Sequence, residues 1–262
     1  MTVYFIGAGP GAADLLTLRG RDQLAGCGLC LYAGSLIPQE ILAHVPPGVP
    51  CINTAGMALA DIVEQMARAT HDGHDVARLH SGDLAIYSAV AEQLAALRAA
   101  GIAYTLTPGV PAFSAAAAAL GQELTVPELG QSLVITRTQG RASAMPAGET
   151  LARFAATGTT LAIHLSLALV AEVVEQLSGY YDKDCPAAIV QRASWPNERI
   201  VRAPLAELVE AAHTLPARRS AIIFVGPVLG QHDDGVLRRS ALYDPTHISR
   251  YRWADQDRGR EV

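Results

Sequence analysis

Arg78-Leu-His-Ser-Gly-Asp-Leu-Ala-Ile-Tyr-Ser88 is the stretch on which the fold turns. It opens as the end of a short apolar strand running from Asp75 to Leu79, and Ser81 and Gly82 interrupt that run. From Ala85 the pattern turns helical, with Ile86, Val90, Leu94 and Leu97 at spacings of four, four and three. A strand that passes through a loop into a helix predicts an open α/β sheet, and ligands settle at such loops because the strand ends leave a crevice there. Gly82 permits close backbone approach, and Asp83 sets one carboxylate at the lip. An ordinary turn with a Ser or Asp cap has the same pattern. The stretch therefore fixes an architecture and only nominates a site.

Working outward, Val3 to Ile6 is a short strand that feeds Gly7-Ala-Gly-Pro-Gly11, and a helix is expected from Asp14. The glycines resemble a dinucleotide fingerprint, which requires an acid at the end of the second strand to hold the ribose. That strand, Leu29 to Tyr32, ends in Ala33-Gly34-Ser35, so the acid is missing. Pro10 also removes a backbone donor from the loop that would cradle a pyrophosphate. A nicotinamide or flavin site is set aside on both grounds. Cys27-Gly-Leu-Cys30 has the spacing of a redox or metal pair, but the strand should splay the two side chains. Two further zinc ligands are also lacking nearby. Both thiols read as structural, and His71-Asp-Gly-His74 reads as a polar turn after the amphipathic helix Leu59 to Ala69.

The alternation continues with strand Ala103 to Thr107, then Pro108-Gly-Val-Pro111 and an alanine-rich helix that Ser114 would cap. Periodicity fades between Gly121 and Gly130, which sets the expected boundary: residues 1–120 as an N-terminal α/β domain, 121–232 as a second, and 233–262 as a polar tail. In the second half we expect strands Ser132 to Thr136, Thr160 to His164, Ala187 to Gln191 and Ser220 to Val225. Helices are expected at Leu167 to Gln176 and Leu205 to Ala212, with a hairpin-like pair, Ala193 to Arg202, around Trp195 to Glu198.

With 262 residues, half of them apolar, the chain can bury ample cores. A formal charge of −5 disfavours a general nucleic-acid binder. The N-terminus lacks a basic n-region, no segment reads as a membrane span, and the four scattered cysteines suit reduced thiols, so a cytoplasmic location is expected.

Four stretches, taken in order, resemble the tetrapyrrole methylase family of S-adenosylmethionine-dependent enzymes. They are Gly7 to Gly11 with Leu15-Leu-Thr-Leu-Arg-Gly20, the Arg78 to Ser88 loop, Thr107-Pro-Gly-Val-Pro111, and Ala221-Ile-Ile-Phe-Val-Gly-Pro227. The resemblance runs to about Gly230. Within the family, Tyr32-Ala-Gly-Ser-Leu-Ile-Pro38, Leu79 to Asp83 and Ser240-Ala-Leu-Tyr-Asp244 resemble the branch that methylates ring carbon C-11 of precorrin-4 in cobalamin biosynthesis. Ala33 stands where uroporphyrinogen-type relatives have aspartate.

The resemblance implies two α/β domains with S-adenosylmethionine in the cleft between them, in a homodimer. It puts cofactor contacts on Pro10, Ser81, Gly82, Asp83, Ile86, Pro111, Ala112, Leu165 and Ala193, and makes the first glycine loop a substrate-side feature. Leu84 departs from the family's usual proline. A precorrin carries many carboxylates, and arginine binds them bidentately. Arg19, Arg78, Arg137, Arg141, Arg192 and Arg199 lie in or beside predicted loops; Arg78 leads, with Tyr32 and Ser35 as further substrate-side residues. His80, His164 and Tyr87 are alternative proton acceptors, and no catalytic residue or metal ligand is singled out. Other readings are a cobalt-precorrin-4 or uroporphyrinogen-III substrate, a diphthamide-pathway methyltransferase and a nucleotide-binding module.

Overall fold

A computed structural model describes residues 1–140, 144–217, 219–230, 240 and 243. Arg141 and almost all of the expected tail, including most of the Ser240 to Asp244 stretch, lie outside these described residues. The described chain forms two compact units: Met1–Gly121 with Val190–Ile200, and Gln122–Ile189 with the residues from Val201 onward. The sequence division gives 190–200 to the second half; here this segment groups with the first.

The first unit is a five-stranded sheet of β1 (Thr2–Gly7), β2 (Leu29–Tyr32), β3 (Cys51–Asn53), β4 (Val76–His80) and β5 (Ala103–Thr107), in the order β3-β2-β4-β1-β5. Every pairing in it is parallel. Parallel strands need crossovers, and α1 (Leu18–Ala25), α2 (Gln39–Leu42), α3 (Leu59–His71), α4 (Val90–Ala99) and α5 (Ala112–Leu120) lie between and after them. One face carries Ile6, Cys30, Ala77 and Leu79 against Leu24 of α1 and Ile41 of α2. The other carries Val3, Phe5, Leu31 and Val76 against Ile62 and Met66 of α3 and Leu97 of α4. With both faces covered, the interior strand β4 is buried throughout, while the edge strands β3 and β5 keep exposed residues.

Local chemistry sets several element ends. The Thr17 hydroxyl accepts from the Gly20 amide at 3.1 Å and caps α1, so the helix starts at Leu18 and a single 3-10 turn fills Ala13–Leu15, where a helix from Asp14 was expected. Helix α5 begins directly after Pro111, which puts Ser114 inside the first turn and not at the cap. Gly121, with φ of 64°, closes that helix in the left-handed conformation. Cys27 and Cys30 do not diverge: both are buried in the core on the α1 and α2 face. Burial pushes the Cys27 thiol up to about 11, as an inert structural cysteine requires.

The second sheet consists of β6 (Leu133–Arg137), β7 (Thr160–His164), β8 (Pro186–Gln191), β9 (Arg199–Pro204) and β10 (Ala221–Val225), in the order β6-β7-β10-β8-β9. β6 and β7 run parallel, and β10 is antiparallel to β7. The helices α6 (Leu151–Ala155), α7 (Val170–Leu177) and α8 (Leu208–His213) cover a core built on Leu161, Ile163, Val173, Leu177, Leu208 and Ile223. The hairpin-like pair expected over Ala193 to Arg202 has only its second strand: residues 193–198 form a turn between β8, which ends at Gln191, and β9, its neighbour in the sheet, which begins at Arg199. Among the described residues no helix is long and apolar enough to cross a membrane.

Candidate active site

In the first unit the chain leaves β1 toward β2 on one side and leaves β4 toward β5 on the other. The carboxyl ends of these adjacent strands are therefore the switch point where an α/β sheet opens a crevice. Three loops meet there through their backbones. The Ala8 amide donates to the His80 carbonyl at 2.8 Å, and Gly9 and Gly82 exchange a pair of hydrogen bonds at 3.1 and 2.7 Å. From β5, Gly109 completes the junction: a Cβ on it would lie 2.2 Å from the Gly82 oxygen and 2.7 Å from the Gly7 carbonyl. No larger residue fits at Gly109.

Asp83 locks the arrangement. One carboxylate oxygen accepts from the Ala85 amide at 2.8 Å, and the other accepts from the Gly109 amide at 2.8 Å. The carboxylate is thus engaged by the protein's own backbone, and what Asp83 can offer a ligand is mainly its main chain. Leu84, at the position where proline was expected, is buried in the α3 and α4 core and holds the loop by packing. Helical periodicity from Ala85 does not produce helix there. Tyr87 and Ala89 take positive φ of 51° and 50°, so α4 begins only at Val90. The Ser88 hydroxyl donates to the Leu84 carbonyl and Ile86 is half-buried within this irregular turn.

Of the expected cofactor positions, Pro10, Ser81, Gly82, Asp83, Ile86, Pro111 and Ala112 all fall on these three loops or the first residue of α5. Ala193, although far away in sequence, belongs to the same unit and is buried. Leu165 stands in the second unit directly after β7, with φ of 55° and a side chain 72 % exposed. Tyr32 and Ser35 follow at the end of β2. The Tyr32 carbonyl accepts from both the amide and the hydroxyl of Thr54, and Ser35 is exposed in a turn pinned by Gly34 and Asn53.

Arg78 is the clear correction. Expected to reach a substrate carboxylate, it is 3 % exposed, on the α3 and α4 face of β4. Its Nε donates to Gln93 Oε1 and its Nη1 to Thr54 Oγ1, both at 2.9 Å. Desolvation lowers its pKa to about 10, so it stays charged at neutral pH among neutral partners. It braces the sheet against α4 and the Thr54 turn. Desolvation, helped by the Arg78 charge, also holds His80 at about 4, and burial does the same to His164. Both are neutral, weak proton acceptors at physiological pH.

Sequence reasoning missed the clasp on the glycine loop. The Trp195 indole donates to the Pro10 carbonyl at 2.9 Å, and the Ala12 amide donates to the Ser194 hydroxyl at 3.0 Å. A Cβ at Gly11 would sit 2.2 Å from the indole ring. The partners are more than 180 residues apart, so no local pattern pairs them. The signals available were the third glycine of Gly7 to Gly11 and a lone Trp-Pro-Asn turn.

Known proteins resemble this chain in sequence and fold. Residues 2–209 match the family model described as Tetrapyrrole (Corrin/Porphyrin) Methylases. A precorrin-4 C(11)-methyltransferase from Sinorhizobium sp is 55 % identical over 96 % of this chain and 98 % of its own. Among solved structures, a cobalt precorrin-4 methyltransferase is 38 % identical and matches with a TM-score of 0.85, over 87 % of this chain and 95 % of that one. The uroporphyrin-III C-methyl transferase of Thermus thermophilus, solved with S-adenosylhomocysteine, is 27 % identical with a TM-score of 0.73, over 87 % of this chain and 99 % of that one. With a family match over most of its length and a glycine junction in place of a phosphate cradle, the chain belongs to the tetrapyrrole (corrin/porphyrin) methylases.

Proposed function

We propose that this protein transfers a methyl group from S-adenosylmethionine to ring carbon C-11 of precorrin-4, in cobalamin biosynthesis. The observation that carries the reading is the 55 % identity, over nearly both full lengths, to a precorrin-4 C(11)-methyltransferase. The 38 % identity to the cobalt precorrin-4 enzyme is lower and favours the metal-free ring.

The loops suit such a donor. They are rich in glycine, alanine and proline, and the carboxylate at the junction, Asp83, is already satisfied by backbone amides. In this reading the backbone around Pro10, Ser81 to Asp83, Ile86, Pro111, Ala112 and Ala193 holds the cofactor, together with Leu165, while Tyr32 and Ser35 face the substrate. When bound, S-adenosylmethionine supplies a methyl group already activated on sulfonium. The protein adds alignment, which alone can lower a barrier by several kcal/mol, and an apolar edge that favours dispersal of the sulfonium charge. No side-chain nucleophile is needed. A homodimer in the cytoplasm belongs to the same proposal, and light scattering on the purified protein checks the dimer.

The test is calorimetry followed by turnover. S-adenosylhomocysteine should bind, NAD and NADP should not, and precorrin-4 should be methylated faster than cobalt-precorrin-4 at equal concentration. Tight nicotinamide binding without S-adenosylhomocysteine binding would sink the reading. A faster reaction on the cobalt-bearing ring would replace only the substrate.

A further inference from the structure

We propose that Arg192, laid over the Trp195 ring, is the residue that recognises a carboxylate of the tetrapyrrole; the inference rests on the methyltransferase reading above. Arg192 and Ser194 both take positive φ, 51° and 69°, which non-glycine residues seldom adopt and which sites of function often retain. The turn is held in this form from several sides. The Ser194 amide donates to the Glu198 carboxylate at 2.7 Å, and the Trp195 amide donates to the Arg192 carbonyl at 3.0 Å. The indole and the Ser194 hydroxyl then fasten the turn to Pro10 and Ala12, in the loop read as substrate-side.

On this base the guanidinium lies 5.5 Å from the Trp195 ring centroid, and its Nη1 donates to the Asn197 side-chain oxygen at 3.3 Å. The cation–π contact and one neutral acceptor orient it without neutralising its charge. Among the described residues no carboxylate forms an ion pair with it, and the nearby Glu198 carboxylate is spent on the Ser194 amide. Several other arginines are placed differently: Arg78 is buried, Arg21 and Arg68 pair with Asp22 and Glu64, and Arg137 and Arg199 donate to backbone carbonyls. Arg192 is oriented, charged and next to the glycine loop. A planar cation with donors to spare is suited to a carboxylate on a short flexible arm, the group that a polycarboxylate macrocycle presents repeatedly.

Three variants and two ligands test this. Arg192→Gln should raise KM for precorrin-4 roughly ten- to a hundred-fold, the size of one charge-assisted hydrogen bond. Its S-adenosylhomocysteine affinity and melting temperature should stay at wild-type values. Arg192→Lys should recover only part of the loss, because the ammonium lacks the stacked fork. Asn197→Asp keeps the arginine but sets a competing carboxylate against it, and should also raise KM with the fold intact. Uroporphyrin, followed by its absorption shift, should bind wild type better than its octamethyl ester, and Arg192→Gln should erase that difference. Wild-type KM in both Arg192→Gln and Asn197→Asp overturns the proposal. So does a parallel loss of cofactor affinity and melting temperature in Arg192→Gln, which marks a merely structural role. A wild-type protein that binds no S-adenosylhomocysteine and methylates no tetrapyrrole defeats the methyltransferase reading itself, a result separate from either.

Discussion

Arg78 carries a formal charge inside a sheet that is covered on both faces, and its hydrogen-bond partners are neutral. The desolvation it suffers is offset by two hydrogen bonds to a charged donor, each worth roughly 1.5–3 kcal/mol. Lysine at this position has a single point charge and cannot serve Gln93 and Thr54 with one planar fork. Arg78→Lys is therefore expected to lower unfolding free energy by roughly 1.5–3 kcal/mol, with cofactor and substrate binding reduced only as far as the folded fraction falls. Urea denaturation and calorimetry on the same variant decide the matter; unchanged stability with a selective rise in KM would return Arg78 to the substrate. The error in the sequence reading has a physical origin. In an interior strand of a two-faced parallel sheet such as β4 every position is inward, so alternation gives no clue that an arginine before a loop points into the core. Its acceptors, Gln93 and Thr54, come from 15 residues ahead and 24 behind.

Backbone geometry, more than side-chain identity, shapes the elements around the site. Gly82 has φ of 68°, but a Cβ there would make only ordinary contacts, the nearest atom lying 3.7 Å away. Gly109 has the reverse problem, with backbone atoms of Gly82 and Gly7 inside any Cβ. Gly82→Ala should cost about 1–2 kcal/mol for a left-handed alanine. Gly109→Ala should cost roughly 3 kcal/mol or more, because the atoms it meets are main chain and cannot rotate away. Guanidinium denaturation of both variants checks the order, and equal losses would mean that the three loops do not meet as tightly as described. The strands that lead into these loops, β1, β4 and β5, were legible from apolar runs and turn residues to within a residue or two, whereas the short edge strand β3 was not read. The start of α4 was not, because Ile86 continues the apolar period of Val90 and Leu94 while the backbone at Tyr87 and Ala89 is left-handed. Side-chain periodicity records which residues are buried and says nothing of the sign of φ.

At the scale of the whole molecule, strand order and the grouping of Val190–Ile200 with the first unit were the illegible part, since both depend on pairings between distant residues. The two units nevertheless share one device. Each ends a buried strand in a buried neutral histidine, His80 at the end of β4 and His164 at the end of β7, and both titrate near 4 in the fold. An unfolded histidine titrates near 6.5, so between about pH 6.5 and 4 the unfolded chain binds protons that the folded chain refuses. Stability is then fully present above the unfolded value and falls as pH drops through this window, by up to about 3 kcal/mol per histidine. Carboxylates add their own acid sensitivity at the lower end, so the decisive measurement is a difference. Between pH 7 and 4.5, His80→Leu should lose about 2 kcal/mol less stability than wild type, because its share of the proton uptake is gone. The His164 share should remain in that variant and disappear with His164→Leu. Denaturation midpoints at half-unit pH steps would show this as curves that converge or cross toward low pH. Parallel curves for wild type and His80→Leu would mean that His80 accepts its proton in the folded state near the ordinary value.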